Sequence, residues 1–138
     1  MDGIEISTDQ SQLDLDFIIS YLQSSYWASQ RTEDAIRKSI ANSLCFGLYL
    51  DKTQIGFARV VTDTSVFAYL MDVFIDNRYK GNGLGSLLLD EILKHRDVSE
   101  IETFKLATHD AHEFYSKKGF NFIAHPEFQM EKLINNDL

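Results

Sequence analysis

Three glycines stand at alternate positions, Gly81, Gly83 and Gly85, in the segment Lys80-Gly81-Asn82-Gly83-Leu84-Gly85-Ser86. Before them runs the apolar Val73-Phe74-Ile75, which reads as a strand, and after them come Leu87, Leu88 and Ile92 at helical spacing. Glycine lets a chain turn tightly and lets another molecule approach its N–H groups, because no Cβ intervenes. A helix that opens from such a loop presents unpaired N–H donors and the positive end of its dipole. That combination binds anions, most often phosphate.

Other residues carry chemistry of a different kind. Asp72 interrupts the apolar strand just before the loop, where a carboxylate could accept a proton or hold an ammonium. It could equally be a structural partner of Arg59 or Arg31. Tyr115 follows Ala111 at i+4 on a short apolar helix face, where spacing alone favours a core aromatic. Tyr26, Trp27 and Arg31 cluster in a connection and could shape an amine site or pack beneath a loop. His109 and His112 are spaced i, i+3, but a metal site needs a third ligand and none is evident, so no metal is expected. Cys45 alternates with Leu44 and Phe46 and has no basic neighbour in sequence to lower its pKa, which argues against a nucleophile.

The glycine loop fits one of three phosphate-binding patterns. A Walker loop ends Gly-Lys-Ser/Thr, whereas Ser86 follows Gly85 directly. A dinucleotide fingerprint is G-x-G-x-x-G, and here the spacing is G-x-G-x-G. Lys80-Gly81-Asn82-Gly83-Leu84-Gly85 resembles the Arg/Gln-x-x-Gly-x-Gly/Ala motif of the GCN5-related N-acetyltransferases (GNAT), with lysine where arginine is usual. Downstream, Ala111-His112-Glu113-Phe114-Tyr115-Ser116-Lys117-Lys118-Gly119-Phe120 resembles that family's Ala-x-x-Phe/Leu-Tyr-x-x-x-Gly-Phe signature.

The resemblance implies a GNAT fold and direct transfer of the acetyl group of acetyl-CoA to a primary amine. It implies that residues 80–86 cradle the coenzyme's pyrophosphate and that a backbone N–H near Val73, Phe74 or Ile75 receives the thioester carbonyl. It casts Tyr115 as general acid and places Tyr26, Trp27 and Arg31 on the acceptor side. Thr108 occupies the position where many members carry an asparagine that contacts the pantetheine arm. A non-catalytic acyl-CoA-binding sensor or interaction module would keep the loop without needing Tyr115.

The elements that must position these groups follow in order. Residues 4–8 alternate weakly, Leu15, Ile18, Ile19 and Leu22 mark a helix to about Ser25, and Thr32 caps a second helix with Ile36 and Ile40 inward. Strands are expected at 44–50, 55–62 and 66–76, with a polar turn over 51–54. After the loop helix come a strand over 101–108, the short helix around Tyr115, and strands at 120–124 and 128–133 before a loose tail over 135–138. The expected class is α/β: a mixed, mostly antiparallel sheet flanked by helices, forming one domain over 1–138.

Composition bounds the function. A net charge of −8 argues against a nucleic-acid partner and tends to attract cationic amines. No apolar stretch approaches the ~20 residues that cross a bilayer. The acidic, signal-free start and the single Cys45 suit a reducing, cytoplasmic setting, and the expected assembly is a monomer or homodimer.

Overall fold

The computed structural model describes residues 1–135. They form two compact units, residues 1–107 and residues from Thr108 onward. The first unit holds a five-stranded sheet in the order β1 (Ile4–Ser7), β2 (Leu44–Leu50), β3 (Thr53–Thr62), β4 (Phe67–Ile75), β5 (Thr103–Leu106). Neighbours are antiparallel except β4 and β5, which are parallel. The mixed, mostly antiparallel sheet and the meander of its middle strands are as the residue pattern predicts. The turn between β2 and β3 is shorter than expected: only Asp51 and Lys52 take positive φ, 49° and 72°, while Thr53 and Gln54 already belong to β3. That is the mirror-image two-residue turn whose twist suits a hairpin.

Helices cover the sheet. α1 (Leu15–Ser24) is capped by Asp14 and α2 (Glu33–Ala41) by Thr32, each side chain accepting a backbone N–H. Ile18, Ile19, Leu22, Ile36 and Ile40 from these helices bury against Cys45, Phe57 and Phe74 of three successive strands. Phe46 points the other way along β2 and meets His95 at the end of α3 (Leu84–Lys94), edge to face at 5.4 Å. With both faces covered, β2 and β3 are buried almost throughout, and each large side chain removed from water contributes roughly 1.5–3 kcal/mol.

The second unit contains α4 (His112–Ser116), closed by Gly119 at φ 98° with the N–H groups of Lys118 and Phe120 both donating to the Tyr115 carbonyl. The strands expected at 120–124 and 128–133 are absent among the described residues: this stretch is irregular, broken by a single 3-10 turn at Pro126–Phe128. Apolar alternation is a necessary feature of a strand, but a ladder partner is what makes one, and no described strand offers it. The expected tail beyond Asn135 lies outside the described residues.

Candidate functional site

β4 carries the site, and two local irregularities of that strand define it. The first is a bulge. Phe57 opposes Phe74 and Arg59 opposes Met71, so Ala58 alone faces both Asp72 and Val73. Asp72 takes the left-handed conformation, φ 55°, which aspartate tolerates better than most residues. A bulge re-aims the side chain at its apex. Here the Asp72 carboxylate turns into a buried cluster with only 1% of its side chain exposed.

Four contacts surround that carboxylate. Trp27 Nε1 donates to Oδ1 at 2.9 Å, Arg31 Nη1 donates to both oxygens at 2.9 Å, and Arg59 Nε donates to Oδ2 at 3.0 Å. Arg59 is itself anchored: Nη1 donates to Ser43 Oγ at 3.1 Å, and Nη2 lies 3.3 Å from Met71 Sδ. Of the two readings open for Asp72, pairing with Arg59 and Arg31 is the one these contacts realise. A carboxylate has about four acceptor positions, and all four are engaged here. The structure also brings Trp27 and Arg31 together on this carboxylate. Tyr26 instead packs edge to face on Trp27 at 5.3 Å and is 69% exposed.

The second irregularity is a splay. β5 pairs with β4 only from Phe67 to Leu70, so from Met71 to Ile75 the β5 side of the strand has no partner in this sheet. Backbone donors facing that side are left for another acceptor. Phe74 fixes the strand end from the opposite face: its ring stacks on Tyr21 at 3.9 Å and meets Phe17 and Phe57 at 5.6 and 5.8 Å. Neither Tyr21 nor Phe17 was singled out from sequence, although both lie on α1.

The glycine loop begins one 3-10 turn later. Asp76 caps that turn, accepting from Arg78 N–H, and Asn82 Nδ2 donates to the Tyr79 carbonyl at 2.9 Å. Gly81 and Gly83 both require positive φ, 85° and 75°, and a Cβ on either would meet no atom within 4 Å. The glycines are thus demanded by backbone conformation, and the space beside them is open. Gly83 heads α3 without any side-chain cap, and the first helical bond there runs from Leu87 N–H to the Gly83 carbonyl. The N–H groups of Gly83, Leu84, Gly85 and Ser86 have no acceptor among the described residues. With Lys80 at the loop's start, this donor set suits a phosphate oxyanion.

In the second unit, Thr108 Oγ1 accepts the Ala111 N–H at 3.1 Å and so shapes the entry to α4. The Tyr115 ring lies edge on to Phe114 and Phe120 at 5.0 and 5.9 Å. Burial raises its phenol above the ordinary 10.0, so it is protonated throughout the neutral range. Among the described residues no group of three or more His, Cys, Asp or Glu could hold a metal ion. Cys45 sits across from Arg59, a basic neighbour invisible in local sequence, yet burial outweighs that charge and pushes the thiol up to about 12. It is a core residue.

Comparison with known proteins agrees with this architecture. The sequence pattern of the acetyltransferase (GNAT) domain matches residues 8–134. A crystal structure of a GNAT-family protein from Xanthomonas campestris pv. campestris superposes with a TM-score of 0.93 at 37% identity, covering 97% of this chain and 95% of that one. The PaiA N-acetyltransferase of Thermoplasma acidophilum, solved with coenzyme A, shares the fold at a TM-score of 0.68 and 23% identity, over 86% of this chain and 89% of that one. The GCN5-related N-acetyltransferase 2 of Arabidopsis thaliana is 35% identical over 56% of this chain and 30% of its own length. The chain spans 59% of the length of a Gibberella zeae relative, FG08082, to which it is 32% identical over 61% of its own length. Motifs, fold and matched domain converge, and the chain belongs to the GNAT acetyltransferase family.

Proposed function

We propose that this protein transfers the acetyl group of acetyl-CoA to a primary amine of a small molecule. The observation that carries the reading is the uncapped start of α3, where four backbone N–H groups have no acceptor among the described residues and the space beside two left-handed glycines is open, one 3-10 turn after the splayed end of β4. The pyrophosphate of the coenzyme would rest on Gly81–Ser86, with Lys80 adding a positive charge. When bound, acetyl-CoA supplies an activated thioester. A free N–H of β4 near Val73, Phe74 or Ile75 would receive the charge that develops on its carbonyl oxygen. Calorimetric titration with acetyl-CoA, against ATP and NAD, tests this. Selective micromolar binding of acetyl-CoA is expected, and a preference for ATP or NAD would overturn it.

Tyr115 is assigned the proton for the leaving thiolate. Tyr115→Phe should slow turnover roughly a hundredfold or more, the usual weight of a general acid, while leaving acetyl-CoA affinity nearly unchanged. Equal rates for mutant and wild type would remove Tyr115 from the role. The acid's pH signature follows from its burial: a raised phenol pKa keeps the donor protonated up to and beyond pH 10.0. The kcat/KM profile should therefore climb as the amine, pKa ~10.4, deprotonates, with no falling limb below pH 10. A limb falling below pH 9 would point to another acid.

Asp72 is assigned a positioning role, holding Trp27 and Arg31 on the acceptor side, and the amine's proton leaves through water. Thr108, which stands where many members of the family carry an asparagine, is assigned a contact with the pantetheine arm. The family match runs across both compact units, which supports reading 1–138 as one domain. A small amine partner, a cytoplasmic setting and a monomer or homodimer complete the reading.

A further inference from the structure

The Asp72 cluster does not balance its charge. One carboxylate is paired with two guanidinium groups, Arg59 and Arg31, leaving a net positive charge in a mostly buried setting. The surplus falls on Arg31. Arg59 is 8% exposed and directs Nε, Nη1 and Nη2 at Asp72, Ser43 and Met71. Arg31 is 26% exposed and spends only Nη1 on Asp72. Its Nε and Nη2 have no acceptor among the described residues. Those two nitrogens form one planar edge of the guanidinium, and that edge matches a carboxylate with two parallel hydrogen bonds.

Arg31 is also held in place before any ligand arrives. Its N–H donates to the Ala28 carbonyl at 3.0 Å, and its carbonyl accepts from Gln23 Nε2 at 3.1 Å. Asp72 fixes the far end of the side chain. A preorganised donor loses little freedom on binding. Beside it the Trp27 ring is 39% exposed, an apolar wall with its indole N–H tied to the same carboxylate. All of this lies at the bulge that precedes the open end of β4.

We infer that the acceptor carries a carboxylate as well as its amine, and that the free edge of Arg31 reads that carboxylate: the substrate is an amino acid. This rests on the acetyltransferase reading for the amine's role. The overall charge of −8 would repel a simple anion, whereas an amino acid is a zwitterion with no net charge to repel. The ammonium end remains suited to an acidic protein.

Trp27 is the single tryptophan of the chain and lies beside Arg31, so its fluorescence reports ligands there. The experiment titrates the protein with a panel of L-amino acids, each paired with the amine that lacks its carboxylate, and with O-phosphoethanolamine. In at least one pair the carboxylate member should bind about tenfold or more tightly, the weight of a charged hydrogen-bonded contact. Arg31→Gln should bring that ratio to about threefold or less, and Arg31→Lys, which keeps the charge but loses the planar edge, should fall between. No carboxylate preference in any pair of the wild type, or tighter binding of the phosphate compound, overturns the inference whether or not the variants fold. Failure here is separable from failure of the acetyltransferase reading. Acetylation of amines without carboxylate preference removes only the role of Arg31. Carboxylate preference without acetyl-CoA binding removes the transfer reaction and leaves the Arg31 site.

Discussion

Gly83→Asp should lower acetyl-CoA affinity by a hundredfold or more while changing thermal stability little. Gly83 takes φ 75°, and an added Cβ would meet nothing within 4 Å, so the protein itself does not crowd the new side chain. The left-handed backbone costs an aspartate on the order of 1 kcal/mol. A negative charge at a helix start returns about 0.3–1 kcal/mol through the dipole. Those terms nearly cancel in the free protein. In the complex, the carboxylate would stand in the open space where the pyrophosphate is proposed to sit, and like charges at close range in a partly desolvated site repel strongly. Gly83→Asn separates charge from bulk: it has almost the same shape, tolerates the same backbone, and should keep most of the affinity. Calorimetry on both variants measures the difference. If Asp and Asn bind equally well, charge at this position is immaterial and the coenzyme lies elsewhere.

The parts of the site that could be read from residue order are those held by local interactions. The loop at 80–86 needs only its own glycines and the helix that follows, and both are contiguous. The β2–β4 meander announces itself by alternation and by polar turns. Asp72 was legible as an anomaly with two readings, a pair with Arg59 or Arg31 or a base, and residue order could not choose between them, because Trp27, Arg31 and Arg59 reach it across 45, 41 and 13 residues. The bulge that aims it depends on register with β3, which no single strand encodes. Cys45 shows the same limit from the other side. Sequence could not place Arg59 across from it, and only the packing of α1 and α2 explains why the thiol is inert. The strands expected at 120–124 and 128–133 failed for a related reason. Phe120, Phe122, Phe128 and Met130 alternate well, but Phe120 N–H closes α4 through the Tyr115 carbonyl, and Phe122 and Met130 are exposed.

Asp72→Ala should destabilise the fold by about 3–5 kcal/mol, the usual cost of removing one partner from a buried ionic group. The carboxylate is 1% exposed, and its loss leaves Arg59, 8% exposed, facing Arg31 with nothing between them. Arg59 cannot escape to water, because Ser43 and Met71 hold its other nitrogens within the core. Alanine at φ 55° adds strain of roughly 1 kcal/mol that aspartate avoids by its tolerance of this region. Against a total stability of about 5–15 kcal/mol this is a large fraction, and the melting temperature should fall by roughly 10–25 °C. Urea unfolding of the variant measures it directly. The decisive comparison is Asp72→Ala combined with Arg31→Met and Arg59→Met, which removes both charges with the carboxylate. If the damage is unpaired charge, the triple variant should regain much of the loss, since apolar replacements of whole ionic groups are often neutral. If Asp72→Ala alone costs less than about 1 kcal/mol, the cluster contributes little to the fold. The carboxylate's four hydrogen bonds would then have to be explained by what they arrange for a substrate, which is the role proposed for Trp27 and Arg31.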